Sequence, residues 1–187
     1  MISNVEKIST FLFKAHEAGD RFINLEKDMK PKDFNEAYQI QNQLRQKLPR
    51  GPLGGYKIAL SSKIQQDYHK ISHPVYGGLF KNEIFNSPKT IALKNYHRMS
   101  VEFELAFELS ERIIDPSIQR NPKNIVHDIL NVIPAIELVD DRGANYKGLD
   151  PLSLACDTAW SGGLVLGDPI NNWQEKDFLD IQSTCEW

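Results

Sequence analysis

Four side chains carry most of the chemistry this sequence offers: Lys57, Glu102, Glu104 and Glu137. Glu102 and Glu104 stand in "SVEFELAFELSE", Ser100 to Glu111, where apolar and polar residues alternate almost without exception. On an extended chain the alternation puts Val101, Phe103, Leu105, Phe107 and Leu109 on one side and Glu102, Glu104, Ala106 and Glu108 on the other. The two glutamates are then roughly 6–7 Å apart at Cβ. Both can bend toward one small ion, and Mg²⁺ prefers carboxylate oxygens at about 2.1 Å. A sheet with its charged face in water gives the same pattern, so spacing alone leaves both readings open.

Glu137 is more pointed, because it interrupts the apolar run "VIPAIELV". An ionised carboxylate among such neighbours is costly unless it is paired or bound to a metal. Arg142 is one candidate partner, and a strand edge open to water is another explanation. Three glutamates from two β segments would make an oxygen-only site for a hard divalent cation, with positions left for water or substrate. Lys57 stands in "GGYKIAL", an otherwise apolar strand. It either snorkels to solvent or points into a pocket, where an amine can serve as general acid or base.

Other arrangements are weaker. His69 and His73 straddle a helix end and a loop, which does not suit a two-histidine metal site. "SGGLVLGD" lacks the Lys-Ser/Thr of a phosphate loop and the glycine spacing of a dinucleotide site. No G-x-S-x-G elbow occurs. Asp140, Asp141 and Arg142 read as a surface turn, or as support for the metal ligands.

The elements that must position these groups form one domain over residues 1–187, a helical layer over 1–50 and a β-rich part over 51–187. Residues 2–18 pattern as an amphipathic helix closed by Gly19, and Pro31 is placed to open a second. After the glycine-rich break at 51–55 come the strand "YKIAL", a helix over 63–70 and the loop-like "SHPVYGGLF". The β segments "TIAL", "VEFELAFEL", "VIPAIELV" and "GGLVLG" follow. Asn121–Pro122 and Asp150–Pro151 mark helix starts before "KNIVHDIL" and "LSLACDTAW". Helices first and strands later indicate an α+β fold around a curved sheet.

The 187 residues are 41% hydrophobic and 25% charged, with a net charge of −3. These values fit a globular chain and give no electrostatic reason for a nucleic-acid partner. Two cysteines outside any metal spacing, and no secretory signal or membrane-spanning run, make the cytoplasm the expected compartment.

Six collinear motifs resemble the 2-keto-4-pentenoate hydratase/4-oxalocrotonate decarboxylase family, within the fumarylacetoacetate hydrolase superfamily. They are "AYQIQ" (37–41), "GGYKIALSSK" (54–63), "HPVYGGLF" (73–80), "VEFELAF" (101–107), "PAIELVDDR" (134–142) and "GLVLGD" (163–168). The resemblance implies a barrel-like mixed β fold, with Mg²⁺ or Mn²⁺ held by Glu102, Glu104 and Glu137. It places Lys57 beside the substrate and extends the substrate pocket to Ser62, Val75 and Asp140. The implied activity is a lyase acting on short unsaturated 2-oxo acids, a hydratase first and a decarboxylase second. Val75, aliphatic where hydratases often carry an acid, leans toward decarboxylation. Ala59 and Thr158 depart from the family's frequent glycine and asparagine. The chain also stops where related chains continue for several dozen residues. That makes an inactive remnant the alternative, and it predicts an apolar edge around "GGLVLG" and "FLDIQSTCEW". A small-molecule substrate and a homo-oligomer are the expected partners, with neither nucleic acid nor membrane.

Overall fold

The protein is described from a computed structural model covering residues 3–178, 181–184 and 186. Helix α1 (Asn4–Ala18) starts where the Ser3 side chain accepts from the Glu6 amide, and ends at Gly19 in the left-handed conformation. Both are ordinary solutions for the unpaired groups of a helix end. Helix α2 (Phe34–Lys47) begins three residues after Pro31, because Asp33 is the residue whose carboxylate caps the Glu36 amide. α1 buries Ile8 and Leu12, and α2 buries Ala37, Ile40 and Leu44. These side chains meet Val75, Phe80, Leu154 and Trp160 in the main core.

Strand β1 (Leu53–Ala59) pairs antiparallel with β2 (Val75–Phe80), Lys57 facing Gly77 across the pair. The short helix α3 (Lys63–His69) connects them. "HPVYGGLF" is therefore largely a strand where a loop is expected from its glycines. The glycines serve close approach: a Cβ on Gly77 would lie 2.0 Å from the Thr158 carbonyl oxygen.

The larger sheet has the order β3-β6-β5-β4. It comprises β3 (Ile84–Asn86), β4 (Met99–Leu109), β5 (Ile129–Asp140) and β6 (Ser161–Leu166). β3 runs parallel to β6, and the remaining pairs are antiparallel. "TIAL" forms no strand; its last residue opens a 3₁₀ turn at Leu93–Asn95, with Leu93 exposed. "KNIVHDIL" forms only a 3₁₀ turn at Ile125–Asp128, since the chain enters β5 at Ile129. Helix α4 (Pro151–Cys156) follows the expected signature, with Asp150 accepting from the Ser153 amide.

Among the described residues the sheet does not close into a barrel, with β3 at one edge and β4 at the other. β6 lies between β3 and β5, so "GGLVLG" is not the free edge expected of it. Of "FLDIQSTCEW", Leu179, Asp180, Cys185 and Trp187 lie outside the described residues. Among the described residues the longer unpaired edge is that of β4. No helix among the described residues is long and apolar enough to cross a membrane.

Candidate metal centre

The register of β4 on β5 places Glu102 directly opposite Glu137, and Glu104 opposite Ala135. Opposed residues of an antiparallel pair share a face. Alternation along β4 adds Glu104 to that face. The three side chains can each bring one carboxylate oxygen within 4.8 Å of the other two. Ligands at about 2.1 Å from an octahedral ion stand about 3 Å apart when adjacent, so modest side-chain movement closes the set.

The environments differ. Glu102 and Glu104 are exposed, while Glu137 is 1% exposed and flanked by the strands on either side. β1 and β2 cover this face at the level of β5 and β6, through Leu79 against Ala135 and Leu164. Within that cover, Lys57 turns inward rather than to solvent, and its Nζ lies 2.8 Å from Glu137 Oε1. Arg142, the other partner conceivable from sequence, is bound instead to Asp157.

Burial raises the Glu137 carboxyl to about 7, and Glu102 and Glu104 push the same way; the Lys57 ammonium pulls it back. Glu104 is also raised, by desolvation first and by Glu102 second, with Lys57 opposing. Glu137 Oε1 has no aligned hydrogen-bond donor although it is fully buried. A buried carboxylate paired to Lys57, beside two more carboxylates, is a donor set a hard divalent cation takes, and its charge would relieve the mutual repulsion. The residues fit such an ion.

No protein-family model matches the chain. It is 33% identical over 164 residues to the 2-oxo-hept-4-ene-1,7-dioate hydratase of Escherichia coli, covering 80% of this chain and 57% of that one. It is 32% identical over 172 residues to the 2-keto-4-pentenoate hydratase of Paraburkholderia xenovorans, covering 89% and 62%. In structure it resembles the 4-oxalocrotonate decarboxylase from Pseudomonas putida G7, complexed with magnesium and adipate. That match has a TM-score of 0.71 at 22% identity and covers 87% of this chain and 62% of that one. The chain is a relative of the 2-keto-4-pentenoate hydratase/4-oxalocrotonate decarboxylase family. It spans 57–62% of the length of these two curated relatives.

In this hydratase/decarboxylase relative, Lys57 and the three glutamates come together, whereas Ser62, Val75 and Asp140 are engaged elsewhere. Ser62 caps α3, its hydroxyl accepting from the Gln65 amide. Val75 is fully buried in the main core. Asp140 is three residues beyond Glu137, on the opposite face of β5, and accepts from the amides of His97, Arg98 and Arg142.

Two features near the site escape a reading by motif. Ser161 pairs with Val139, two residues along β5 from Glu137, and its buried hydroxyl has no partner. Ahead of it, Thr158, Ala159 and Trp160 all have positive φ, at 52°, 48° and 59°. Such a run is costly for residues with a Cβ. It is held on one side by β2 at Gly77 and on the other by Asp157, which is bound between His16 and Arg142. The one sequence signal was Thr158 itself, standing where the family's frequent asparagine would tolerate this backbone.

Proposed function

We propose that this chain carries the metal-binding part of a hydratase-type lyase acting on short unsaturated 2-oxo acids, as its hydratase relatives do. The observation that carries the reading is the gathering of Glu102, Glu104 and Glu137 within 4.8 Å, with Lys57 against the buried member. The glutamates would hold Mg²⁺ or Mn²⁺, which when bound supplies Lewis acidity to the substrate's carboxylate and 2-oxo oxygens. Lys57 cannot ligate a cation while protonated. Its ammonium is placed to hold a proton over the glutamate cluster and to exchange it with the substrate carbon during enolisation. β1 and β2 exclude water from the Glu137 side of the site.

Decarboxylation is the second reading, favoured by the fold match to a 4-oxalocrotonate decarboxylase. Both reactions pass through a dienolate, so the same residues serve either. A barrel-like completion of the sheet and a cytoplasmic location belong to the same proposal; the buried Cys156, its thiol pushed up by desolvation, fits a reduced setting.

Titration calorimetry with Mg²⁺ and Mn²⁺ tests the site: Glu102→Gln and Glu137→Gln should each weaken binding at least about tenfold, the loss of one charged ligand. Equal affinity in wild type and both variants would remove the assignment. Paired assays with a 2-hydroxydienoate and an oxalocrotonate then separate hydration from decarboxylation, and silence toward both with metal bound would leave a non-catalytic metal site.

A further inference from the structure

The motif "AYQIQ" ends at Gln41, a polar residue set among the buried side chains of α2 and itself only 4% exposed. A buried primary amide needs partners for its donors and its acceptor. Nε2 of Gln41 donates to the Tyr76 carbonyl at 3.0 Å and to the Ala155 carbonyl at 2.6 Å. Its Oε1 accepts from the Gly78 amide at 3.1 Å. Tyr38, about one turn earlier on α2, accepts from the Tyr76 amide through its hydroxyl and stacks its ring on that of Tyr76.

These contacts have the pattern of a strand partner. In an antiparallel pair, successive residues turn their amide and carbonyl to one edge of the strand and then to the other. Tyr76 and Gly78 present theirs to α2, so Gly77 between them presents its own to β1, where it faces Lys57. Gln41 thus bridges the backbone groups on either side of Gly77 and ties them to the end of α4. The seat is narrow, because a Cβ on Gly77 would come within 2.0 Å of the Thr158 carbonyl oxygen. Lys57 and Gly77 share that face. A shift of β2 at Gly77 therefore carries Lys57 with it, and disturbs its 2.8 Å contact with Glu137.

We propose that Gln41 is a positioning residue for Lys57: its amide, acting in place of a third strand, fixes β2 at Gly77 and through it aims the Lys57 ammonium at Glu137. Gln41, Gly77, Gly78, Ala155 and Lys57 are all buried, so the linkage is internal to the described residues. Its value for proton transfer rests on the lyase reading above, whereas its control over Lys57 does not.

Acetylation of the full chain with an N-hydroxysuccinimide ester, resolved by residue with peptide mass spectrometry, tests that control. In wild type Lys57 should react at least about tenfold more slowly than Lys63, whose side chain is 75% exposed. Gln41→Met keeps the side-chain length and loses all three bonds; it should speed acetylation of Lys57 about tenfold and leave Lys63 unchanged. Tyr38→Phe, which deletes one hydroxyl from the same edge, should give about a threefold gain, and it decides the question if Gln41→Met does not fold. Leu12→Ala, a cavity in the core from α1, should leave Lys57 as slow as in wild type. An unchanged Lys57 rate in the folded variants overturns the proposal, and so does an equal gain in Leu12→Ala, which would make Gln41 a stability residue only. Turnover is a separate arm. With Mg²⁺ and a 2-hydroxydienoate or an oxalocrotonate, Gln41→Met should lower kcat while KM and Mg²⁺ affinity stay within a few fold of wild type. A wild type inactive toward both substrates would remove the lyase reading and leave the acetylation result to decide the role of Gln41.

Discussion

Lys57 Nζ lies 2.8 Å from Glu137 Oε1, and both side chains are almost wholly removed from solvent. Removing one member of a buried pair costs about 3 kcal/mol, because the other loses the partner that offsets its desolvation. Lys57→Met should lower stability by that amount in urea titrations without added metal, and by less in saturating Mg²⁺, which would take over the neutralising role. Lys57→Met/Glu137→Leu should recover most of the loss. Metal affinity in Lys57→Met should stay within a few fold of wild type; a collapse of binding would make the lysine part of the metal assembly.

The pairing of Asp157 with His16 and Arg142 gives a pH dependence of definite sign. Asp157 is wholly buried, which by itself raises its carboxyl, but His16 and Arg142 outweigh this and hold it below its ordinary value. The folded state thus favours the ionised form. Its contribution is fully present above the unfolded carboxylate pKa of about 3.9, and is lost as pH falls through the lower folded value. Unfolding free energy measured from pH 7 to pH 2 should fall on the acid side. Asp157→Asn should be less stable at neutrality and show a shallower acid limb; an unchanged acid limb would assign the dependence to other carboxylates.

Gly77 and Gly55 offer a matched comparison within one strand pair. A Cβ at Gly77 meets the Thr158 carbonyl oxygen at 2.0 Å, whereas at Gly55 the nearest atom is a Leu79 methyl at 4.0 Å. Gly77→Ala should cost about 3 kcal/mol or more by displacing the left-handed turn, and Gly55→Ala should be close to neutral. Thermal unfolding of the two variants reads the difference directly.

Thr158 sits at φ 52° and is 1% exposed. A β-branched residue is strained there, and asparagine is among the side chains that tolerate the region best. Thr158→Asn should therefore raise stability by about 1 kcal/mol, seen as a higher midpoint in thermal unfolding. A lower midpoint would mean that the fit of the threonine in the core outweighs the backbone strain.

The glutamates were legible in the sequence because alternation fixes which side chains share a face, and because a carboxylate within "VIPAIELV" needs an explanation. Their convergence was not, since it depends on the register that sets Glu102 opposite Glu137. The helix close at Gly19 and the cap at Asp150 were local signals and read correctly. "HPVYGGLF" misled because glycines that admit a neighbouring backbone look the same in sequence as glycines that turn a chain. Ser62, Val75 and Asp140 rested on position within motifs, and motif position does not reveal whether a side chain is occupied by a cap, a core or a row of amides.

Among the described residues β4 has β5 as its one strand partner, yet it supplies two of the three carboxylates. A strand with one neighbour frays at a lower free energy than one with two, and its amides exchange with solvent accordingly. An ion gripping Glu102 and Glu104 together with the buried Glu137 would act as a rivet between an edge strand and the interior. Its escape rate would then be governed by how often that strand lifts away, rather than by the strength of any single oxygen–metal bond. Slowed amide exchange in Val101–Phe107 on adding Mg²⁺, with α2 unchanged, would be the signature of such a fastening.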